Sequence, residues 1–131
     1  LIAPSFEASF GLLGTTFGGN HLASAAALSV LQVIEKEELV EGIEELSEFL
    51  TERLKSLPGV QRIKGRGLML GLEFDFEVAG LRKRMIHDKK IFTGGSSNPR
   101  LLRILPPLNV TKKELNHFAE SLEALLKEEW V

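Results

Sequence analysis

From residue 68 to residue 76 the side chains alternate without interruption. Leu68, Leu70, Leu72, Phe74 and Phe76 fall on one side, and Met69, Gly71, Glu73 and Asp75 fall on the other. A period of two sustained in this way specifies an extended strand with one covered face. The chain must therefore build a sheet that packs on one side, and its remaining segments must supply the cover.

The surrounding pattern identifies that cover. Asn20 predicts an N-cap for a first helix over residues 22–36, whose Leu, Ala, Val and Ile positions take up most of its circumference. A helix apolar nearly all round is expected to be buried on several sides. After the charged run 35–38, Leu39, Ile43, Leu46, Leu50, Leu54 and Leu57 recur at steps of three and four, predicting an amphipathic second helix ended by Pro58-Gly59. Residues 60–63 read as a short strand, and Gly65-Arg66-Gly67 as a turn or bulge before the alternating strand. A third helix is expected over 78–90 around Leu81 and Met85, and a brief strand over 91–93. A loop of small residues over 94–99 follows, with a last strand over 101–105 stopped by Pro106-Pro107. Thr111 and Glu114 have capping-box spacing for a final helix carrying Leu115, Phe118, Leu122, Leu125 and Trp130.

The resulting order, α-α-β-β-α-β-β-α, contains no βαβαβ run. It predicts an α/β domain of the α+β type, with an antiparallel or mixed sheet and helices mainly on one face. Residues 1–20, with Phe6, Phe10, Leu13 and Phe17 in no regular period, read as an arm belonging to a larger protein, leaving 21–131 as the folded domain.

Several function classes are disfavoured. A formal charge of −2 and a pI near 6.0 recommend no nucleic-acid partner. The absence of Cys removes thiolate metal sites and thiol nucleophiles. His21, His87 and His117 share no ligand spacing, so no metal site is expected. No apolar run approaches the roughly 18 residues that span a bilayer, and no membrane association is expected. The Glu residues lie on helix faces without a paired-carboxylate arrangement, and no Lys has the desolvated setting of a Schiff-base amine. The cations Arg82, Lys83, Arg84, Lys89 and Lys90 read as a solvated face and a complement to a helix C-terminus.

Two places could carry chemistry. In Gly14-Thr15-Thr16-Phe17-Gly18-Gly19-Asn20, adjacent hydroxyls and glycines precede a helix start, where free N–H groups and the helix dipole favour an anion. The same run also suits an ordinary turn with an Asn cap. Arg103 shares a strand face with Leu101 and Leu105. If that face is covered, its guanidinium needs a carboxylate; if Leu102 and Ile104 form the core pair, Arg103 faces solvent. A planar fork there could hold a ligand carboxylate through two parallel hydrogen bonds. Arg66, between two glycines, reads as a solvated bulge residue.

Three segments taken together resemble successive motifs of the class III pyridoxal-phosphate aminotransferases: 14–23 (GTTFGGNHLA), 66–71 (RGLMLG) and 102–108 (LRILPPL). Within that family the likeness is nearest to the acetylornithine or succinylornithine branch, and it covers essentially the whole chain. The resemblance implies the C-terminal small domain of a fold-type I enzyme, with the cofactor lysine and the aspartate that pairs the pyridine nitrogen on a large domain upstream. It implies that Thr16 contacts the cofactor phosphate of the other subunit of a homodimer, that Thr15 touches the acylated substrate, and that Arg103 binds a substrate carboxylate or pairs with an active-site glutamate. The family usually has Ser where Thr15 stands, and Thr keeps the hydroxyl. The reaction implied is cytoplasmic transfer of the δ-amino group of N-acetyl- or N-succinylornithine to 2-oxoglutarate in arginine biosynthesis, with no catalytic residue in this chain itself. Ornithine, 4-aminobutyrate and other ω-amino donors are alternatives within the class. A non-catalytic domain that binds an anion or dimerises is the alternative outside it.

Overall fold

A computed structural model describes residue 11 and residues 14–128. The expected arm over 1–20 therefore falls largely outside the described residues, as does Trp130. By its contacts the chain divides into two units, Leu1–Glu37 and Glu38–Val131.

In the first unit, α1 (His21–Lys36) begins where the sequence predicts. The Asn20 side chain accepts from the Ala23 amide at 2.9 Å, and its Nδ2 donates to the Phe17 carbonyl at 2.8 Å. Although most of its circumference is apolar, α1 buries no residue, and Leu22 is 82% exposed. A lone helix cannot cover its own sides, so burial of this surface requires other chain.

The second unit contains α2 (Ile43–Lys55), β1 (Val60–Arg66), β2 (Met69–Phe74), α3 (Ala79–His87), β3 (Leu101–Ile104) and α4 (Lys112–Lys127). The strands form one antiparallel sheet in the order β1-β2-β3. The long alternation is realised in β2: Leu68, Leu70, Leu72 and Phe74 are buried, whereas Met69 is exposed. Leu102 and Ile104 of β3 lie beside Leu72 and Leu70 in register and complete the covered face. Leu50 and Leu54 of α2, Leu81 and Met85 of α3, and Leu115, Phe118, Leu122 and Leu125 of α4 close the core over that face. The helices of this unit thus lie on one side of the sheet, as expected, and the other side is left open.

Some boundaries moved for local reasons. The stripe from Leu39 becomes helical only at Ile43, because Glu38 adopts a left-handed φ of 49° and the chain turns before α2. Helix α3 ends at His87, earlier than predicted, and Lys90 takes φ 59°. Residues 91–93 are not a strand. Only Gly94 pairs, as an isolated antiparallel bridge to Arg103, while Phe92 stands 83% exposed. Glycine is obligatory at Gly65, where φ is +122° and a Cβ would lie 2.0 Å from the Met69 carbonyl oxygen. The capping box forms: Thr111 Oγ1 accepts from the Glu114 amide and the Glu114 carboxylate accepts from the Thr111 amide, which lowers the Glu114 pKa.

Helix α2 is tied to α4 by Arg53 and Glu123 at 2.6 Å, and Lys127 reaches the same carboxylate at 2.7 Å. With Lys127 first and Arg53 second donating to it, the Glu123 carboxyl is held down at about 2. Lys112 and Glu45 form a second link between the two helices.

Candidate functional site

The open face of the sheet follows from the register. Arg62, Lys64 and Arg66 of β1 stand opposite Glu73, Gly71 and Met69 of β2, and Gly71 and Glu73 stand opposite Arg103 and Leu101 of β3. Directly paired residues of an antiparallel sheet share a face. This face therefore carries four cations and one carboxylate, together with the exposed Met69 and, just beyond β3, Leu105.

The carboxylate is already engaged. Glu73 accepts from Lys64 at 2.7 Å and from Asn98 Nδ2 at 3.2 Å, and the Lys64 bond leads the effects that lower its pKa. Asn98 in turn organises its loop, accepting from the Arg100 amide through Oδ1 and from Ser96 Oγ through its carbonyl.

Arg103 settles the question that alternation left open. Leu102 (0% exposed) and Ile104 (6%) are the core pair, so Arg103 points to the open face. Among the described residues its guanidinium has no hydrogen bond or ion pair. Its backbone is nonetheless fixed on both sides, by Gly71 of β2 in register and by Gly94, with which it exchanges two hydrogen bonds of 2.8 and 3.0 Å. The result is a five-donor cation held on rigid backbone with its donors unspent.

Thr15 and Thr16 belong to the other unit and are described with it. Both are exposed, and Thr16 opens the turn over residues 16–19 that leads into α1. The turn is tight: a Cβ on Gly18 would lie 2.1 Å from Thr15 Cγ2, and Gly19 has φ +72°. Of the first-turn amides the Asn20 cap takes that of Ala23.

Arg66 is exposed, as expected, but it is not a bulge residue: β1 runs past the expected end at 63 to Arg66, which pairs in register with Met69, and the register shift lies between Val60 and Arg62. The three His are exposed, and no group of potential metal ligands gathers among the described residues. No helix among the described residues is long and apolar enough to cross a membrane. The sequence did not single out Arg82, which read as part of a solvated cluster. Its Nη2 instead donates to the Thr93 carbonyl at 3.2 Å, beneath the loop that pairs with Arg103. The Gly94-Gly95 doublet ahead of the last strand was the available signal.

A family model, Aminotransferase class-III, matches residues 3–126. The acetylornithine aminotransferase of Bacillus cereus is 37% identical over 118 residues, covering 87% of this chain and 30% of the relative. The ornithine aminotransferase of an Exiguobacterium strain is also 37% identical, over 122 residues, covering 88% and 29%. Among solved structures, the ornithine δ-aminotransferase of Plasmodium falciparum aligns with a TM-score of 0.74 at 29% identity, covering 92% of this chain and 32% of that one. The adenosylmethionine-8-amino-7-oxononanoate aminotransferase of Methanocaldococcus jannaschii aligns with a TM-score of 0.73 at 28% identity, covering 88% and 30%. The chain thus spans about 30% of the length of the first two relatives.

Proposed function

Because the chain belongs to the class III aminotransferase family, a family of pyridoxal-phosphate enzymes, we propose that it forms the C-terminal part of a transaminase acting on acylated ornithine. In that protein residues 1–20 are the arm arriving from a large cofactor-binding domain, and residues 21–131 are the small domain. The substrates are N-acetyl- or N-succinylornithine and 2-oxoglutarate, the setting is arginine biosynthesis in the cytoplasm, and the working unit is a homodimer.

The observation that carries this reading is Arg103: among the described residues, a guanidinium without a partner on rigid backbone, on a sheet face whose one carboxylate is committed to Lys64. Both substrates bear carboxylates, and a planar fork can grip one through two parallel, charge-assisted hydrogen bonds. That grip orients the amino or keto carbon relative to the reacting centre, where misplacement by an ångström is costly.

The cofactor fits this chain at one end only. The described lysines are exposed apart from half-buried Lys89, so none offers the desolvated amine that the cofactor's aldehyde requires. The segment 15–19 suits the phosphate, because its hydroxyl donors precede a helix start and Gly18 leaves the turn closed and free of side chain. On this reading Thr16 donates its hydroxyl and amide to the phosphate bound by the other subunit, and Thr15 contacts the acyl end of the substrate. When bound, pyridoxal phosphate supplies the electron sink through which an amino group leaves one carbon and joins another. The residues of this chain bind and orient.

A specific observation favours a second reading: an ornithine aminotransferase is as similar as an acetylornithine aminotransferase, at 37% identity each. The experiment is to offer the complete protein N-acetylornithine, N-succinylornithine, ornithine or 4-aminobutyrate with 2-oxoglutarate and to measure glutamate. The highest kcat/KM should fall on an acylated donor. A preference for free ornithine replaces this reading with the second, and absence of glutamate from every donor overturns both.

A further inference from the structure

We infer that Gly94 and Arg82 are positioning residues for Arg103: Gly94 is the surface on which its guanidinium rests, and Arg82 holds that surface in place. The inference rests on the reading of Arg103 as the carboxylate clamp.

Arg103 has a glycine on each side across the sheet, Gly71 on β2 and Gly94 in the loop before β3. The two are filled differently. A Cβ on Gly71 would meet the Leu101 side chain, at 3.0, 3.2 and 3.3 Å. A Cβ on Gly94 would meet Arg103 itself: Nε at 2.7 Å, Cβ at 3.2 Å and Nη2 at 3.3 Å. The side chain of Arg103 therefore leans away from β2 and lies along the bare backbone of Gly94. Gly94 does not have a positive φ, so its conformation is open to any residue. What the position requires is the missing methyl group. The contacts run along the side chain from Cβ through Nε to Nη2, so a methyl at 94 would push the guanidinium out of the position in which it now lies.

The loop is held from beneath by Arg82 of α3. Its Nη2 donates to the Thr93 carbonyl at 3.2 Å, and a Cβ on Gly95 would stand 2.7 Å from its Nη1. Gly95 likewise has no positive φ, so it too is required for space. Among the described residues, Arg82 Nε and Thr93 Oγ1 have no hydrogen-bond partner. Two glycines and one arginine thus link a helix on the covered side of the sheet to the cation on its open side.

The test is a double-mutant cycle in the complete protein, with wild type, Gly94→Ala, Arg103→Ala and the double variant. It reads kcat/KM for amino donor and for 2-oxoglutarate, and the Kd of glutarate by calorimetry. Gly94→Ala should weaken glutarate binding and lower kcat/KM roughly tenfold to a hundredfold, the range expected for an ångström-scale misplacement. The loss should appear chiefly in KM, and the same substitution in the Arg103→Ala background should cause no further loss. Wild-type behaviour of Arg103→Ala would overturn the clamp reading and this inference with it. A defective Arg103→Ala beside a wild-type Gly94→Ala would overturn the positioning role alone, as would losses that simply add. If Gly94→Ala does not fold, Arg82→Ala takes its place in the cycle, since it leaves the Gly94–Arg103 bridge untouched. It should shift KM in the same direction, again without effect in the Arg103→Ala background, and additive or absent losses would again refute the role.

Discussion

Leu102 and Leu105 lie three positions apart near one strand, and replacing each with Ala distinguishes the covered from the open face of the sheet. Leu102 is 0% exposed and pairs with Leu72 in the middle of the core, whereas Leu105 is 60% exposed beside Arg103. Removing a fully buried leucine side chain costs the lost transfer energy plus a cavity, about 2–5 kcal/mol. Removing an exposed one stays within about 0.5 kcal/mol. For a unit of roughly 100 residues, 1 kcal/mol moves Tm by about 4–8 °C. Leu102→Ala should therefore lower Tm by at least about 8 °C, and Leu105→Ala by less than about 4 °C. Far-UV circular dichroism during heating and during urea titration of the 131-residue chain provides the readout. Unchanged m-values would show that stability rather than compactness has altered. Equal losses at the two positions, or a larger loss at Leu105, would refute the face assignment and with it the outward direction of Arg103.

Other consequences follow from the same structure. Glu123, held at about 2 against an ordinary 4.5, stabilises the fold above pH 4.5, and that contribution disappears as the pH falls toward 2. The stability difference between wild type and Glu123→Gln should therefore be present at pH 7 and shrink across that interval, and a pH-independent difference would contradict the ion-pair assignment. Gly65→Ala should cost at least about 1–3 kcal/mol because it forces a strained φ and a clash with the Met69 carbonyl. Gly42→Ala, with φ −77° and nothing within 4 Å, should be neutral or slightly stabilising by the same denaturant measurement. In the complete protein, Thr16→Ala should weaken cofactor binding by about 1.5–3 kcal/mol, the worth of a hydrogen bond to a charged group, with Tm of the apo form unchanged. Equal cofactor affinity would return Thr16 to a plain turn residue.

Much of this fold could be read in the sequence because its periods are clean. The alternation through Leu72 and the leucine stripe through Leu50 and Leu54 name the core directly, and Thr111 with Glu114 marks the last helix. Alternation alone could not decide the direction of Arg103, since Leu101 and Leu105 are as apolar as Leu102 and Ile104. The decision comes from the partner strand, whose Leu70 and Leu72 lie in register with Ile104 and Leu102. The expected strand over 91–93 failed because hydrophobicity gives no account of hydrogen-bond partners. The Thr93 carbonyl is taken by Arg82, and pairing contracts to Gly94. Arg82 itself was hidden among neighbouring cations of one helix, of which Arg84 pairs with Asp88. Which neighbour of a charge run turns inward depends on helix phase relative to a loop that composition does not locate. The apolar circumference of α1 was legible as a demand for burial, and within its own unit that demand is unmet.

The most direct test of the account is Arg103→Lys in the complete protein, measured by steady-state kinetics with both substrates. Lys keeps the charge but cannot reproduce a planar two-pronged grip. Loss of a charge-assisted hydrogen bond is worth about 1.5–3 kcal/mol, so kcat/KM should fall by roughly tenfold to a hundredfold. KM should rise for the amino donor, for 2-oxoglutarate or for both, while Tm stays at the wild-type value. Wild-type constants for both substrates would contradict the account and leave Arg103 as a solvated residue on the open face of a sheet.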